Sequence, residues 1–173
     1  MVYWVAQGIA LISFVVNVIG MQFNEKKKIL LSIIFGGITS IISLCLLGAF
    51  SGVWMQIIFT LEAVVNYFIL RVNDKISVWV GISYLLVTVV SQIFVFKSAM
   101  DVFPFVATVL HTLVILQSKE KNMRIINLGS VICWIPYYFS FKSYGHLATA
   151  IVVAISTMIG IIRFDIKRGK NHE

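Results

Sequence analysis

The stretch ILLSIIFGGITSIISLCLLGAFSGVWMQIIFTL, residues 29–61, contains no charged residue and decides how often the chain crosses an apolar layer. The apolar run continues to Leu70, so a single helix over residues 29–70 would be about 63 Å long at 1.5 Å per residue. That is twice the roughly 30 Å hydrocarbon core of a bilayer. The stretch therefore predicts two membrane-spanning helices, joined by a turn at residues 48–52.

The rest of the chain is equally apolar. Of its 173 residues, 60% are hydrophobic and 12% are charged, whereas soluble domains have about 45–50% and 25%. Apolar runs between charges predict an all-α membrane protein whose seven transmembrane helices lie near residues 3–22, 29–49, 54–70, 76–96, 102–118, 125–141 and 146–164. Because so little chain remains for loops, a receptor with an ectodomain and a pump with its own ATPase are excluded.

The basic residues predict the orientation. If seven helices alternate in direction, twelve Lys and Arg residues fall on one side of the membrane and only Lys97 and Lys142 on the other. Cytoplasmic loops carry the excess of positive charge. We therefore expect the N-terminus outside and the C-terminus in the cytoplasm, and we attribute the net charge of +7 to topology rather than to nucleic-acid binding.

Two halves of the sequence resemble each other. The basic loop FNEKKKIL (23–30) recurs as SKEKNMRI (118–125), with a period of about 93 residues that also pairs two sets of glycines and two arginines: Gly36 with Gly129, Gly52 with Gly145, and Arg71 with Arg163. This predicts a 3+1+3 parallel repeat, with residues 1–72 and 101–173 as three-helix repeats and 73–100 as a linker helix. Repeats of this kind are a transporter design with a binding site near the membrane midplane.

The chain also resembles the YgjV-type bacterial inner-membrane proteins over nearly its whole length. The resemblance lies in YWVAQG (3–8), FNEKKK (23–28), FILR (68–71), VFPFVATVLHT (102–112), CWIPYYFSF (133–141) and IIRF (161–164). These proteins are grouped with the SWEET and SemiSWEET, PQ-loop and PnuC-type transporters, so the resemblance implies the same 3+1+3 fold in the bacterial inner membrane. The chain lacks the Pro-Gln pair that marks the PQ-loop branch.

Glu62 is the only acidic residue inside a predicted span, and Asn66 follows it by one helical turn. An ionised carboxylate in hydrocarbon costs several kcal/mol unless it faces a partner or a wet cavity, so it marks a functional site by default. Glu62 and Asn66 are predicted to bind a polar or cationic group, or a proton, between the repeats. The alternative is that a protonated Glu62 joins two helices by a hydrogen bond.

Further candidates for substrate binding lie on other spans. They are Asn17, His111, Trp134 and Tyr137, and Pro136 is predicted to kink the sixth span beside the two aromatic residues. Trp134 and Tyr137, together with the neighbouring Tyr138, are the side chains that would stack on a flat or sugar-like ligand. For each residue, packing or an interhelical hydrogen bond is the alternative role.

We therefore expect a small-metabolite transporter that works by alternating access, with a non-transporting receptor or scaffold of the same fold as the alternative. The expected partners are a small-molecule substrate and the lipid bilayer. No catalytic motif is present, so no enzyme and no cofactor are predicted. The histidines and cysteines lack metal-ligand spacing. Residues 146–164 contain no lysine, which excludes a retinal Schiff base in the last helix.

Overall fold

The computed structural model describes residues 1–20, 26–72, 77–116 and 120–162, and these residues are all-helical. The helices are α1 (Val2–Gly20), α2 (Lys26–Leu46), α3 (Phe50–Val72), α4 (Val78–Val95), α5 (Val102–Leu116), α6 (Glu120–Ser140) and α7 (Tyr144–Gly160), and a 3₁₀ turn, Ala99–Asp101, precedes α5. The prediction of seven helices is confirmed, since each predicted apolar segment corresponds to one of them.

The turns before α3 and α7 have the same backbone conformation. Each contains one residue with a positive φ, Gly48 at 71° and Lys142 at 51°. The next residue donates its N–H to the carbonyl five residues back, Ala49 to Leu44 at 3.0 Å and Ser143 to Tyr138 at 2.9 Å. This is the Schellman arrangement that ends a helix and reverses the chain. The two positive-φ residues are 94 positions apart (142 − 48).

The first turn is shorter than predicted. Gly48 reverses the chain within three residues, so α3 already begins at Phe50. Gly52, which was expected to end the turn, instead lies in the first turn of α3. Pro136 likewise does not end α6, which continues as a helix to Ser140; the predicted kink at Pro136 stays a prediction.

Six of the helices form a closed ring. We call α1, α2 and α3 the first unit, in which α1 packs on α2 and α2 on α3. We call α5, α6 and α7 the second unit, in which α5 packs on α6 and α6 on α7. The units meet twice, where α3 packs on α5 and where α1 packs on α7. We call these contacts the α3–α5 seam and the α1–α7 seam. Helix α4 packs against both α3 and α5 and therefore covers the α3–α5 seam.

The side chains are distributed as in a membrane protein. Buried polar residues are as numerous as buried apolar ones in the described part of the chain, whereas large apolar side chains are exposed on all seven helices. In lipid an apolar exterior is favourable, and helices associate through small and polar residues. Over their described residues, α3 and α4 are long and apolar enough to cross a membrane, and shorter apolar stretches occupy Val2–Asn17, Leu30–Leu46, Ala99–Val114 and Tyr144–Ile159.

Candidate functional site

A small cavity lies between the two units. Its walls come from α3, α5 and α6, and its lining residues are Gln56, Phe59, Thr108, His111 and Trp134. Its volume is about 40 Å³, enough for a water molecule but far below the roughly 300 Å³ at which ligand sites begin. The space between the two units at this point is therefore too small for a solute in this conformation.

Two of the predicted substrate-binding residues, His111 and Trp134, line this cavity. The His111 ring meets Phe59 edge-on, with ring centroids 4.0 Å apart. Trp134 stacks on Tyr138, with centroids 5.1 Å apart and planes 12° apart. One face of the Trp134 indole is thus occupied by Tyr138, so any stacking on a ligand would have to use the other face.

Glu62 lies about one helical turn deeper than the cavity. It is the thirteenth residue of α3, about 18 Å from the start of the helix and close to its midpoint. Its side chain is 2% exposed. The Thr112 hydroxyl of α5 lies 3.0 and 3.1 Å from the two carboxylate oxygens and also 3.1 Å from the Thr108 carbonyl. Among the described residues, Thr112 alone donates a hydrogen bond to Glu62, across the α3–α5 seam.

Asn66 joins α3 to α4 at the next turn. The Tyr84 hydroxyl of α4 donates to Asn66 Oδ1 at 3.0 Å. Asn66 is completely buried, and its Nδ2 has no hydrogen-bond partner in the described part of the protein. The hydroxyl of Thr88, completely buried on α4, is likewise unpartnered. A buried polar group without a partner costs about 1–3 kcal/mol. Asn66 Nδ2 and the Thr88 hydroxyl would therefore gain stability from a hydrogen bond to a bound molecule or to a neighbouring side chain.

The structure places the other two predicted binding residues elsewhere. Asn17 Nδ2 donates to the Ser13 carbonyl of its own helix at 2.9 Å, and its side chain packs against Gly36 of α2. Tyr137 is completely buried, and its hydroxyl accepts a hydrogen bond from Gly52 N at 2.7 Å and contacts Ser51 Oγ at 2.8 Å. Asn17 thus packs within the first unit, and Tyr137 joins the two units at the start of α3.

Tyr137 belongs to a hydrogen-bonded cluster at the end of the ring that carries both turns, which we call the hairpin end. Ser51 donates to Asp101 Oδ1 at 2.5 Å, and the backbone N–H groups of Lys97 and Ser98 donate to Asp101 Oδ2 at 2.8 Å. Burial opposes ionisation of Asp101, but these hydrogen bonds outweigh it and lower the pKa of the carboxyl below its ordinary value. We call Asp101, Ser51 and Tyr137 the hairpin-end clasp.

A second link between the units lies at the same end, on the α1–α7 seam. The Gln7 amide of α1 donates to the Lys142 carbonyl at 2.8 Å and accepts from Gly145 N at 2.9 Å. A Cβ atom on Gly145 would lie 2.6 Å from the Cβ of Ala10, so α7 reaches α1 only because residue 145 is glycine. Both seams are therefore held shut at the hairpin end.

Several residues of this site were not predicted from the sequence. They are Thr108, Thr112, Tyr84, Thr88 and Gln56. The signal that would have found most of them is a polar pair four residues apart on an apolar helix, which places both side chains on one face. Three such pairs meet here: Glu62 and Asn66, Tyr84 and Thr88, Thr108 and Thr112.

Comparison with known proteins gives one family. A family model for bacterial inner membrane proteins, Imp-YgjV, matches residues 4–168. No curated protein and no solved structure matches the chain. Within the described residues, no group of three His, Cys, Asp or Glu side chains is arranged to hold a metal ion. The match extends over nearly the entire sequence, and the chain therefore belongs to the Imp-YgjV family of bacterial inner membrane proteins.

Proposed function

We propose that this protein crosses the bacterial inner membrane seven times and transports a small polar solute by alternating access between its two three-helix units. The N-terminus lies outside and the C-terminus in the cytoplasm, as the basic loops require. The observation that carries the proposal is the position of Glu62. It is an acidic side chain buried halfway along α3, on a seam between the two units and beside a small cavity.

Internal hydrogen bonds support the relation between the units. Ser13 Oγ of α1 donates to the Gly36 carbonyl of α2 at 2.9 Å. Ninety-four positions later (107 − 13 and 130 − 36), the same two places are joined with donor and acceptor exchanged, because Ser130 Oγ donates to the Ala107 carbonyl at 2.8 Å. The same offset of 94 separates the first residue of α2 from that of α6, the first residue of α3 from that of α7, and the two turns from each other. The closed ring is also consistent with two related units, because each seam joins the third helix of one unit to the first helix of the other. These pairs are α3 with α5, and α7 with α1.

This arrangement suggests how a solute would cross. Rocking the units apart at one membrane face opens the cavity to that face while the other remains closed. The hairpin end is shut in this structure by the hairpin-end clasp and by the Gln7 link. Gln56, Thr108 and His111 offer hydrogen bonds to a solute in the cavity, and Trp134 offers an apolar surface. The solute would be small and polar, of the size of an amino acid, sugar, nucleoside or vitamin.

The test uses the full-length protein in liposomes and a panel of labelled solutes from these four classes. We expect uptake of at least one solute, and a loss of about tenfold or more in the Glu62→Ala variant. A matched control is Ser156→Ala, because Ser156 holds the same position in α7 (62 + 94) but is exposed. A thermal-shift screen of the same panel identifies the solute independently, since a ligand of the folded state raises its apparent stability.

Two results would overturn the proposal. One is a panel in which no solute moves and none raises the unfolding temperature. The other is a solute that is transported equally well by wild type and by Glu62→Ala, which would place the path away from the α3–α5 seam.

A further inference from the structure

The surroundings of Glu62 come from three helices at one depth. Helix α4 runs antiparallel to α3, and the Tyr84–Asn66 hydrogen bond fixes their relative register. One turn toward the hairpin end from this bond, α3 carries Glu62 and α4 carries Thr88. Thr112 of α5 donates to Glu62 across the seam, and it is the one donor to the carboxyl among the described residues. The unpartnered Asn66 amide lies one helical turn from Glu62 on the same helix.

These groups can satisfy the carboxyl in both of its charge states. An ionised carboxylate only accepts hydrogen bonds, and Thr112 donates one to Glu62. The Asn66 Nδ2 and the Thr88 hydroxyl have no hydrogen-bond partner among the described residues, so these donors on α3 and α4 are not committed to other groups. A protonated carboxyl needs an acceptor for its own proton, and a threonine hydroxyl accepts as well as donates. In that state the Thr112 hydroxyl donates its own hydrogen bond to the Thr108 carbonyl, 3.1 Å away.

Few charged groups compete for this position. On α4 the titratable residue that faces the site is Tyr84, and on α5 it is His111, which turns toward the cavity and Phe59. On α2, which also packs against α3, the titratable side chains are confined to the two ends of the helix. On α3 itself, Arg71 is nine residues away, about 13 Å along the axis. No described cation therefore holds Glu62 in its ionised form.

We propose that Glu62 is a proton-binding site, and that its protonation and deprotonation couple solute movement to proton movement across the membrane. The coupling rests on the proposed transport function, whereas the proton site itself does not. A proton enters from the water on the side to which the seam is open and binds a carboxylate oxygen of Glu62. It leaves to the opposite side after the units have rocked. Proton binding replaces the hydrogen bond that the carboxylate accepts from Thr112 by one that the carboxyl donates, which changes the contact of α3 with α5.

The proton site is tested without any solute, by infrared difference spectroscopy of the full-length protein in lipid nanodiscs between about pH 4 and pH 9. We expect a protonated-carboxyl C=O band that titrates reversibly in this range, shifts in D₂O, persists in Ser156→Ala and disappears in Glu62→Gln. In Thr112→Val the band moves to higher wavenumber, because the carboxyl loses its hydrogen-bond partner across the α3–α5 seam. A protein with no titrating band, or with a band that survives in Glu62→Gln, would contradict the proton site.

The coupling is tested in liposomes that contain a pH-sensitive dye, with the solute that the panel identifies. We expect solute entry to alkalinise or acidify the lumen in wild type, and this pH change to fall about tenfold or more in Glu62→Gln while solute exchange between equal concentrations continues. Solute uptake that depends on Na⁺ and leaves the lumenal pH unchanged overturns the coupling. A titrating Glu62 in a protein that moves no solute overturns the transport function and leaves the proton site standing.

Discussion

The α3–α5 seam and the α1–α7 seam join the same two units but are built differently. The α1–α7 seam is made by close approach of small residues, Ala10 against Gly145, with one amide, Gln7, bonded to backbone. The α3–α5 seam holds an acidic side chain, and beside it lie two buried polar groups, Asn66 Nδ2 and the Thr88 hydroxyl, without a hydrogen-bond partner in the part of the chain that the structure describes. Small residues allow stable packing in lipid at little cost, whereas unpartnered polar groups destabilise. The α3–α5 seam is therefore the less stable of the two, and a functional role accounts for the polar groups that it buries.

Helix α4 contributes to this difference. Glu62 and Ser156 are both the thirteenth residue of their helices, α3 and α7. Glu62 is 2% exposed, whereas Ser156 is exposed. Helix α4 packs on both helices of the α3–α5 seam, whereas no helix of the described residues packs on both α1 and α7 in this way.

The largest expected effect is the loss of transport in Glu62→Leu, a change that separates function from stability at the α3–α5 seam. We expect transport to fall by about tenfold or more, while the free energy of unfolding stays the same or rises by about 1 kcal/mol. The Thr112 hydroxyl keeps the Thr108 carbonyl as its partner, so no new unpaired group is created on α5. Uptake in liposomes and thermal unfolding in detergent measure the two quantities. A variant that loses both activity and stability would make Glu62 a structural residue.

The next largest effect is a loss of stability at the α1–α7 seam. In Gly145→Ala the new methyl group meets Ala10 Cβ at 2.6 Å and the Gln7 backbone, so α1 and α7 must separate. We expect a loss of about 2 kcal/mol, typical of overpacking. Gly8→Ala is the matched control, because a Cβ on Gly8 of α1 has no atom within 4 Å. Thermal unfolding compares the two variants. Equal stability would show that α1 and α7 lie farther apart at Gly145 than in the structure.

A smaller effect is expected when the hairpin-end clasp is weakened by Tyr137→Phe. The change leaves Gly52 N without its acceptor and removes the contact with Ser51. We expect the free energy of unfolding to fall by about 1–2 kcal/mol. If the clasp also holds this end shut, a cysteine introduced at Gln56, in a protein whose Cys45 and Cys133 are replaced by serine, should react faster with a membrane-impermeant thiol reagent when Tyr137→Phe is present. Unchanged reactivity would limit the clasp to a structural role.

The smallest effect concerns the ionised Asp101 of the clasp. Its pKa in the folded protein lies below its ordinary value because of the hydrogen bonds from Ser51, Lys97 and Ser98, despite burial. A group with a lowered folded-state pKa stabilises the protein above its unfolded-state pKa of about 4, and this stabilisation disappears as pH falls through the folded-state pKa. Near neutral pH we expect Asp101→Asn to cost about 1 kcal/mol.

Unfolding temperatures measured from about pH 7 down to about pH 3 check this prediction. The difference between wild type and Asp101→Asn should narrow as the pH falls below about 4. A difference that stays constant over this range would mean that the charge of Asp101 contributes nothing.

Most of the helical organisation could be predicted, but only part of the site. The uncharged stretch 29–61 required a hairpin because of its length, and α2 and α3 confirm it. Glu62 was identified because an acidic residue in an apolar helix is expensive. Its partner Thr112 was not identified, because a threonine in an apolar helix usually donates to its own backbone, and only the position of α5 shows that it reaches Glu62. Asn17 and Tyr137 were predicted as ligand residues, but the structure gives both of them protein partners.

The sequence by itself determined the number of helices and the residues that hydrocarbon makes costly, because the transfer of a helix or a side chain into lipid depends on its own length and polarity. The tertiary structure alone decided which polar residues meet. It closed six helices into a ring and laid α4 against α3 and α5, and within the described residues it left Glu62 buried and Ser156 exposed. These outcomes depend on which helices become neighbours, and the length and polarity of a helix do not specify its neighbours.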